Sequence, residues 1–409
     1  MPAFQLFARP GHPTFLDLPW DTPLEEWQSE RIVQVVRGIS RHVVRFVAYD
    51  DHLYALKELP RRYAEREYRL LRRLEEEEMP VVEGVGVVTE RGEGLDAVLI
   101  THHLEYSIPY RALFSDGAPS ELRVTLIAAL SELLVRLHLA GFFWGDCSLS
   151  NTLFRRDAGE LAAYLVDAET GEMHATLSAG QREHDVMLAE ENVAGELMDV
   201  AAEAGGDLEG ADPFETSREL REGYESLWDE LTREEVFRSD ESYKIEQRLQ
   251  RLNELGFDVE EIELDATPEG YRMKLDPHLV EPGHHRRRLA LLTGLTAQEN
   301  QARRMLNDLY AYRALLEAQE GKPVPESVAA YRWRADVFEP AVNAVPPELR
   351  GRRQAAEVFH EILQHRWYMS EQQSTDAGLM ASVRSYIHDV LEHAPDERVR
   401  VEDDQSSSS

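Results

Sequence analysis

Apolar and polar positions fall into two regimes along the chain. Between residues 32 and 101 the apolar positions come in runs of five to seven, bounded by turn residues, which is the strand signal. The runs are Ile32–Arg37, Val43–Tyr49 and Leu53–Leu59, broken at Gly38-Ile39-Ser40-Arg41 and at Asp50-Asp51, followed by Val85–Thr89 and Ala97–Thr101 around Arg91-Gly92-Glu93-Gly94. Val and aromatic enrichment suits a pleated, half-buried surface. Inserted among them, Arg61 to Glu78 carries Leu70, Leu71 and Leu74 at helical spacing, with Glu67 beside that stripe and Glu65 pointing elsewhere. Upstream, residues 1–20 are Pro-rich and irregular. Asp21 to Trp27 has the capping residue, first-turn Pro and early acids of a helix start, and would pack on the back of the strands.

The second regime is mainly helical. Ser120 caps a helix with Leu122, Leu126, Leu130, Leu133 and Leu137 on its core stripe, ending by Gly141. His138 near its end reads as a packing or capping histidine rather than a catalyst. A tight loop follows with Asp146 and, five residues on, Asn151. Thr152–Phe154 and Ala162–Val166 then form a hairpin about Asp157-Ala158-Gly159 and deliver Asp167 at its end. Gln181–Ala204 reads as a helix, with Asp185 near its start either bracing the loop or simply solvated. The Gly-rich, acidic stretch 204–213 is the best boundary. Beyond it come helices at Glu215–Leu231 and Asp240–Leu255, a hairpin turning at Pro268-Glu269-Gly270, and helices near Thr296–Glu317, Val324–Phe338, Arg352–Trp367 and Leu379–His393. The final E-D-D-Q-S-S-S-S is a solvated tail.

The residues around this loop carry specific chemistry. A loop carboxylate, Asp146, can accept the proton of an attacking hydroxyl. An amide oxygen at Asn151 and a carboxylate at Asp167 can hold a hard cation, since magnesium takes oxygen ligands and completes its shell with substrate phosphates. Lys57, between apolar neighbours in Y-A-L-K-E-L-P, needs a partner if its strand face is inward; Glu67 is the expected one. The alternatives are a surface lysine on an edge strand and a hairpin with two unrelated carboxylates.

These features resemble the protein-kinase superfamily: W-G-D-C-S-L-S-N for the catalytic loop, Asp167-Ala168-Glu169 for the metal-binding segment, and Y-A-L-K for the third-strand lysine. The variants look more like atypical and small-molecule kinases. The pairing with such a C-terminal half is similar to bacterial proteins described as lipopolysaccharide-kinase-like with a C-terminal domain of unknown function. The resemblance implies an α+β chain: a bilobal kinase-like domain with an antiparallel-sheet N-lobe and a helical C-lobe, then a mainly helical C-terminal domain with a β-hairpin. The expected division is 1–30 extension, 31–204 kinase-like, 214–395 C-terminal and 396–409 disordered tail. It implies ATP and Mg2+ as cofactors and transfer of the γ-phosphoryl group to a hydroxyl acceptor of unknown identity. Asp146 would orient that hydroxyl. Lys57, set by Glu67, would neutralise the α and β phosphates, and Asn151 and Asp167 would hold the cation. Gly38 would lie over the phosphates, in a loop with one glycine that alone reads equally as a hairpin turn. Leu104, Glu105 and Tyr106 would meet the adenine by position. The segment after Asp167 lacks an A-P-E-like motif, which argues against phosphorylation-controlled switching.

Composition narrows the partners. The 409 residues hold 44 Lys+Arg against 77 Asp+Glu, a formal charge of −33, which repels nucleic acid and anionic leaflets. No apolar run is long enough to cross a bilayer, the start lacks the pattern of a secretory signal, and one cysteine, Cys147, excludes an intrachain disulfide; together these lead to an expected cytoplasmic location. Cys147 reads as a buried, inert thiol. His284-His285-Arg286-Arg287-Arg288 is a cationic run near a helix start. It reads either as an anion site or as a face paired with the protein's own acids, and its histidines lack metal-ligand spacing. Where kinases present a Lys or His two residues after the catalytic Asp, this chain has Ser148. Arg41, Arg155 or Arg156 would have to substitute. Otherwise the lobe is a nucleotide-binding pseudokinase scaffold acting through the C-terminal domain.

Overall fold

The computed structural model describes residues 4–397 except 36–41, 51, 115–119, 204–211, 234, 238–256, 260–261, 268–269, 276–279, 321 and 374–376. Gly38 and Arg41, the 204–211 part of the boundary, the expected 240–255 helix, the Pro268-Glu269 turn and the tail beyond 397 therefore lie outside the described residues. The fold is α+β. It forms two compact units, one of Met1–Phe154 and Ala163–Leu227, the other of Arg155–Ala162 and Trp228–Arg398.

The first unit begins with a six-stranded antiparallel sheet. Its strands are β1 (Gln5–Ala8), β2 (Ile32–Val33), β3 (Val43–Tyr49), β4 (His52–Leu59), β5 (Glu83–Thr89) and β6 (Ala97–His102), ordered β1-β5-β6-β4-β3-β2. Helix α1 (Arg61–Glu76) follows β4 and buries Ala64, Glu67, Leu71 and Leu74. Two expectations need correction. The first residues are not wholly irregular: Gln5–Ala8 pairs with Thr89–Gly86 as an edge strand. Gly86 makes this possible, because a Cβ there would lie 2.3 Å from the Phe7 carbonyl oxygen. The expected helix at Asp21–Trp27 is one 3-10 turn, Leu24–Glu26, with no side-chain cap. Packing decides against a longer helix. Phe15, Leu18, Trp20, Leu24 and Trp27 sink into one core with Val47, Leu56, Val85, Val88, Val98 and Ile100 of the sheet. Arg91, fully buried, clamps this layer. Its guanidinium donates to the carbonyls of Trp20 at 2.9 Å, Thr22 at 2.5 Å and Asp96 at 2.8 Å, and pairs with Glu58 at 2.5 Å.

The helical remainder of this unit comprises α2 (Tyr110–Leu113), α3 (Ser120–Leu139), α4 (Ala179–Glu203) and most of α5 (Pro213–Thr232), whose last residues from Trp228 are counted with the second unit. Leu126, Leu130, Leu133 and Leu137 of α3 are buried as their spacing requires. Between α3 and α4 run β7 (Phe142–Phe143), β8 (Thr152–Asp157), β9 (Glu160–Leu165) and β10 (Glu172–Met173). β7 pairs with β10, and β8 with β9. Ala158 and Gly159, both at positive φ, close β8–β9 as a tight hairpin.

The second unit contains a three-stranded sheet of β11 (Glu235–Phe237), β13 (Ile262–Thr267) and β14 (Gly270–Leu275), and a pair of β12 (Phe257–Val259) and β15 (Val280–Pro282). Then come α6 (His284–Thr293), α7 (Glu299–Glu320), α8 (Glu326–Trp333) with a π turn at Arg334–Phe338, α9 (Glu339–Asn343), α10 (Ala355–Gln373) and α11 (Leu379–Asp389). Their core centres on Trp333, whose ring stacks on Phe338 at 5.8 Å and meets Phe359 edge-on at 5.5 Å. The hairpin tip is built into this unit. Asp157 accepts the backbone N–H of Asn300 at 3.1 Å and Gln301 at 2.8 Å in the first turn of α7. Glu357 accepts the Ala158 N–H at 2.9 Å. Glu397 takes Arg156 at 2.5 Å and Arg353 at 2.9 Å, so ordered contacts run into the stretch expected to be tail.

Candidate functional site

Lys57 lies on β4 opposite Val44 of β3 and Leu99 of β6. In that central strand its ammonium is largely withdrawn from water, which excludes an edge-strand surface lysine. It pairs with Glu67 Oε2 at 3.0 Å, Asp167 Oδ2 at 2.7 Å and Glu169 Oε2 at 3.3 Å. Burial alone would lower the lysine's pKa, but the charges of Glu67 and Asp167 outweigh it and hold Lys57 cationic, above its ordinary value. Glu67 is pushed upward by burial, with the Asp167 charge adding and Lys57 opposing. Burial also pushes Asp167 upward, but Lys57 and the Glu169 backbone N–H at 2.9 Å bring it below the usual carboxylate range. A charge held by a partner and by backbone donors stays ionised.

The loop is held from behind. Gly141 turns α3 into β7 at φ +76°, where a Cβ would meet the His174 carbonyl oxygen at 2.3 Å. Asp185 of α4 is fully buried and accepts the N–H of Trp144 at 2.7 Å and of Gly145 at 2.8 Å. It is a brace, not a solvated face residue. His138 Nε2 lies 3.0 Å from the same carboxylate and its Nδ1 2.7 Å from the Tyr224 hydroxyl. The histidine therefore positions Asp185 rather than capping α3. The Trp144 indole donates to the Asp167 carbonyl at 2.9 Å, tying the start of the loop to the end of the hairpin.

Asp146 and Asn151 meet: Asn151 Nδ2 donates to the Asp146 carboxylate at 3.2 Å and to its backbone oxygen at 3.0 Å. This leaves the amide oxygen as the donor atom for a cation. Asn192 Nδ2 approaches Asp146 Oδ1 at 3.4 Å and donates to the Cys147 carbonyl at 3.1 Å. Glu196 accepts the N–H groups of Leu149 at 2.7 Å and Ser150 at 3.0 Å. Ser148 is buried and its hydroxyl accepts the Asn151 N–H at 3.2 Å. Cys147 is fully buried and burial raises its thiol pKa, as expected of an inert thiol.

Asn192 and Glu196 escaped the sequence reading. They stand at i+7 and i+11 from Asp185, within about 20° of its face of the helix; that spacing was the available signal. Glu169 adds a third carboxylate, which His42 Nε2 meets at 2.8 Å. One ligand atom each from Glu67, Asp167 and Glu169 lies within 4.8 Å of the others. Oxygen-only donors of this kind suit a hard cation, and the cation they hold in this structure is the Lys57 ammonium, 2.7–3.3 Å from all three. Leu104 and Tyr106 lie in the turn after β6, where the His103 N–H bonds to the Leu53 carbonyl at 2.8 Å and Tyr106 takes φ +57°. In the cationic run, His285 pairs with Glu299 at 2.7 Å, Arg286 with Glu299 at 3.6 Å and Arg288 with Glu326 at 2.5 Å. Those pairs favour a face satisfied by the chain's own acids. Among the described residues no helix is long and apolar enough to cross a membrane.

Comparison with known proteins agrees with the motifs. Residues 42–190 match the lipopolysaccharide kinase (Kdo/WaaP) family, and residues 226–391 match a domain of unknown function (DUF4032). No curated protein matches the chain. Among solved structures, one described as "WaaP in complex with acyl carrier protein" aligns at 16% identity and a TM-score of 0.38, over 61% of this chain and 99% of that one. The chain thus joins a lipopolysaccharide-kinase-like part to a C-terminal domain of unknown function.

Proposed function

We propose that the first unit is an ATP- and magnesium-dependent phosphotransferase that moves the γ-phosphoryl group to a hydroxyl acceptor. The observation that carries this reading is the Lys57 contact with both Glu67 and Asp167, at 3.0 and 2.7 Å, beside a loop where Asn151 and Asp146 lie 3.2 Å apart. Asp146 orients the acceptor hydroxyl and takes its proton. Asp167 and Asn151, with Glu169, offer the oxygens for magnesium, which supplies charge neutralisation of the transferring phosphoryl group. Lys57 turns from Asp167 toward the α and β phosphates while Glu67 keeps its position. Leu104 and Tyr106 provide the turn that meets the adenine. Asp185, Asn192 and Glu196 hold the loop backbone and are positioning residues.

The reading is tested by ATP consumption with a panel of soluble sugars and hydroxyl-bearing peptides. Asp146→Asn should lower acceptor-dependent turnover by about 10²- to 10⁴-fold if Asp146 is the base. A second reading has its own observation. Ser148, buried and bonded to Asn151, brings no cation to the transferring group, and Arg156 is engaged with Glu397. In that reading the lobe binds nucleotide without turnover and serves the C-terminal domain. ATP consumption no faster than that of Asp146→Asn with every acceptor would select it.

A further inference from the structure

A second group of ligand-type side chains stands at the opposite end of Lys57's own strand. His52 opens β4, His102 closes β6, and Glu105 lies in the turn that follows. Tyr54 pairs with His102 across the strands. Alternation along β4 puts His52 on the same face as Tyr54, so both imidazoles share a face, with ring centroids 5.2 Å apart. One ligand atom each from His52, His102 and Glu105 lies within 4.8 Å of the others. His52 Nδ1 is 3.2 Å from Glu105 Oε1.

The His102 ring is the informative member. Its Nδ1 faces Glu83 Oε2 at 3.3 Å, which makes that nitrogen the N–H donor and leaves a lone pair on Nε2. That Nε2 is buried and has no hydrogen-bond partner. Leaving a buried polar atom unsatisfied is costly, so such an atom calls for a physical explanation, and for a lone pair facing other ligand-type side chains a bound ion is one. The ring is not free to turn away: Tyr54 stacks on it at 5.2 Å and His12 meets it edge-on at 6.1 Å. Glu83 is itself held by His12 at 3.0 Å and Arg9 at 3.0 Å, so it stays behind the ring as an outer carboxylate. A carboxylate behind a histidine whose other nitrogen points into a ligand cluster is how proteins orient metal-binding imidazoles.

We propose that His52, His102 and Glu105 form a binding site for a transition-metal dication of the zinc type. Two nitrogens and one carboxylate oxygen are a three-ligand zinc set, with water in the fourth position. The mixed imidazole and carboxylate donors favour zinc over magnesium, which prefers oxygen alone. Ligands on a tetrahedral ion stand about 3.3 Å apart, so any pair in the cluster that stands wider, within its 4.8 Å bound, draws together on loading. His52, half-exposed at the strand end, has the freedom to make that movement. Glu105 leaves one positive charge on the ion, and Glu83 balances it from outside the ligand shell. The ion would pin the start of β4 to the turn carrying Leu104 and Tyr106. An effect on nucleotide affinity rests on the phosphotransferase reading; the binding of metal does not.

The test is equilibrium dialysis of the full chain against zinc ion, followed by elemental analysis. Asp167→Asn serves as the background that weakens the other carboxylate cluster. Cobalt(II) absorption serves as a second readout, because tetrahedral and octahedral ions differ in band intensity. In that background one equivalent should bind, with cobalt bands of tetrahedral intensity. Adding His52→Gln or His102→Gln should weaken binding by at least 10-fold and abolish the bands. His52→Gln, at a half-exposed position, should leave metal-free unfolding unchanged, which separates lost ligation from lost folding. Absence of zinc binding in the Asp167→Asn background, or equal binding after His52→Gln and His102→Gln, would overturn the proposal. Neither result depends on whether ATP is a substrate.

Discussion

Replacing Lys57 with methionine removes the cation from a cluster of three carboxylates while keeping a side chain of similar length. Glu67 is 1% exposed, so its charge is left in the interior without a counter-ion. Breaking a buried ion pair by removing one partner costs about 3–5 kcal/mol. Asp167 and Glu169 are 28% and 22% exposed and are partly screened, so they add less. Glu67 has one escape, which is to take up a proton. Burial and the Asp167 charge already push its pKa upward, and loss of Lys57 pushes it further. In the variant the folded state then binds this proton more readily than the unfolded chain. Lowering the pH therefore restores stability. Urea unfolding followed by tryptophan fluorescence should show Lys57→Met less stable than the native chain by about 3 kcal/mol at pH 8, with a smaller deficit at pH 6. Adding Glu67→Gln should recover more than half of the loss, because the amide carries no charge. A Lys57→Met chain as stable as the native one, or a double variant no better than the single, would refute the buried-pair argument.

Other perturbations follow from the same geometry. Asp185→Ala should cost about 3 kcal/mol, since it strips buried acceptors from the Trp144 and Gly145 N–H groups and from His138; it should also lower any ATP turnover, measured beside urea unfolding. Arg91→Leu should cost about 3–5 kcal/mol by leaving Glu58 without its counter-ion and the Trp20 and Asp96 carbonyls without their guanidinium donor, and limited proteolysis should then cut first within residues 9–27. His360, 3% exposed in the second core, is held down to about 4 by burial, with Arg304 adding. The unfolded chain binds that proton more readily, so stability should fall as pH drops from about 6.5 toward 4. His360→Leu should flatten that slope by up to about 3 kcal/mol across the window; an unchanged slope would show that the imidazole is protonated in the fold.

The strands, α1 and the Lys57–Glu67 pair were legible because each rests on local information: runs bounded by turns, a helical stripe, and a lysine needing a partner within reach. The Asp146 to Asp167 segment was legible because its helix, loop and hairpin occur in sequence order. The brace was only half legible. Asp185 has the same sequence signature whether its helix face meets water or the loop backbone, and only packing distinguishes the two. Asn192 and Glu196 were overlooked for that reason, although their spacing from Asp185 marks one face. β1 was overlooked because four residues with alternating exposure are too short a signal, and its place is set by Gly86, about 80 residues away. The hairpin tip illustrates the same limit. Asp157 reads locally as a turn residue, yet it accepts two N–H groups at the start of α7, a contact that no local pattern encodes.

The proposed magnesium–nucleotide site is built on Lys57, Asn151 and Asp167. Its most direct test is thermal unfolding of the native chain and of Asp167→Ala, each with and without ATP and magnesium. Nucleotide at about 100 times its dissociation constant should stabilise the native chain by about 2.7 kcal/mol, and the Asp167→Ala chain should show little or no shift. No shift in the native chain at millimolar nucleotide, or an equal shift in both, would contradict the account.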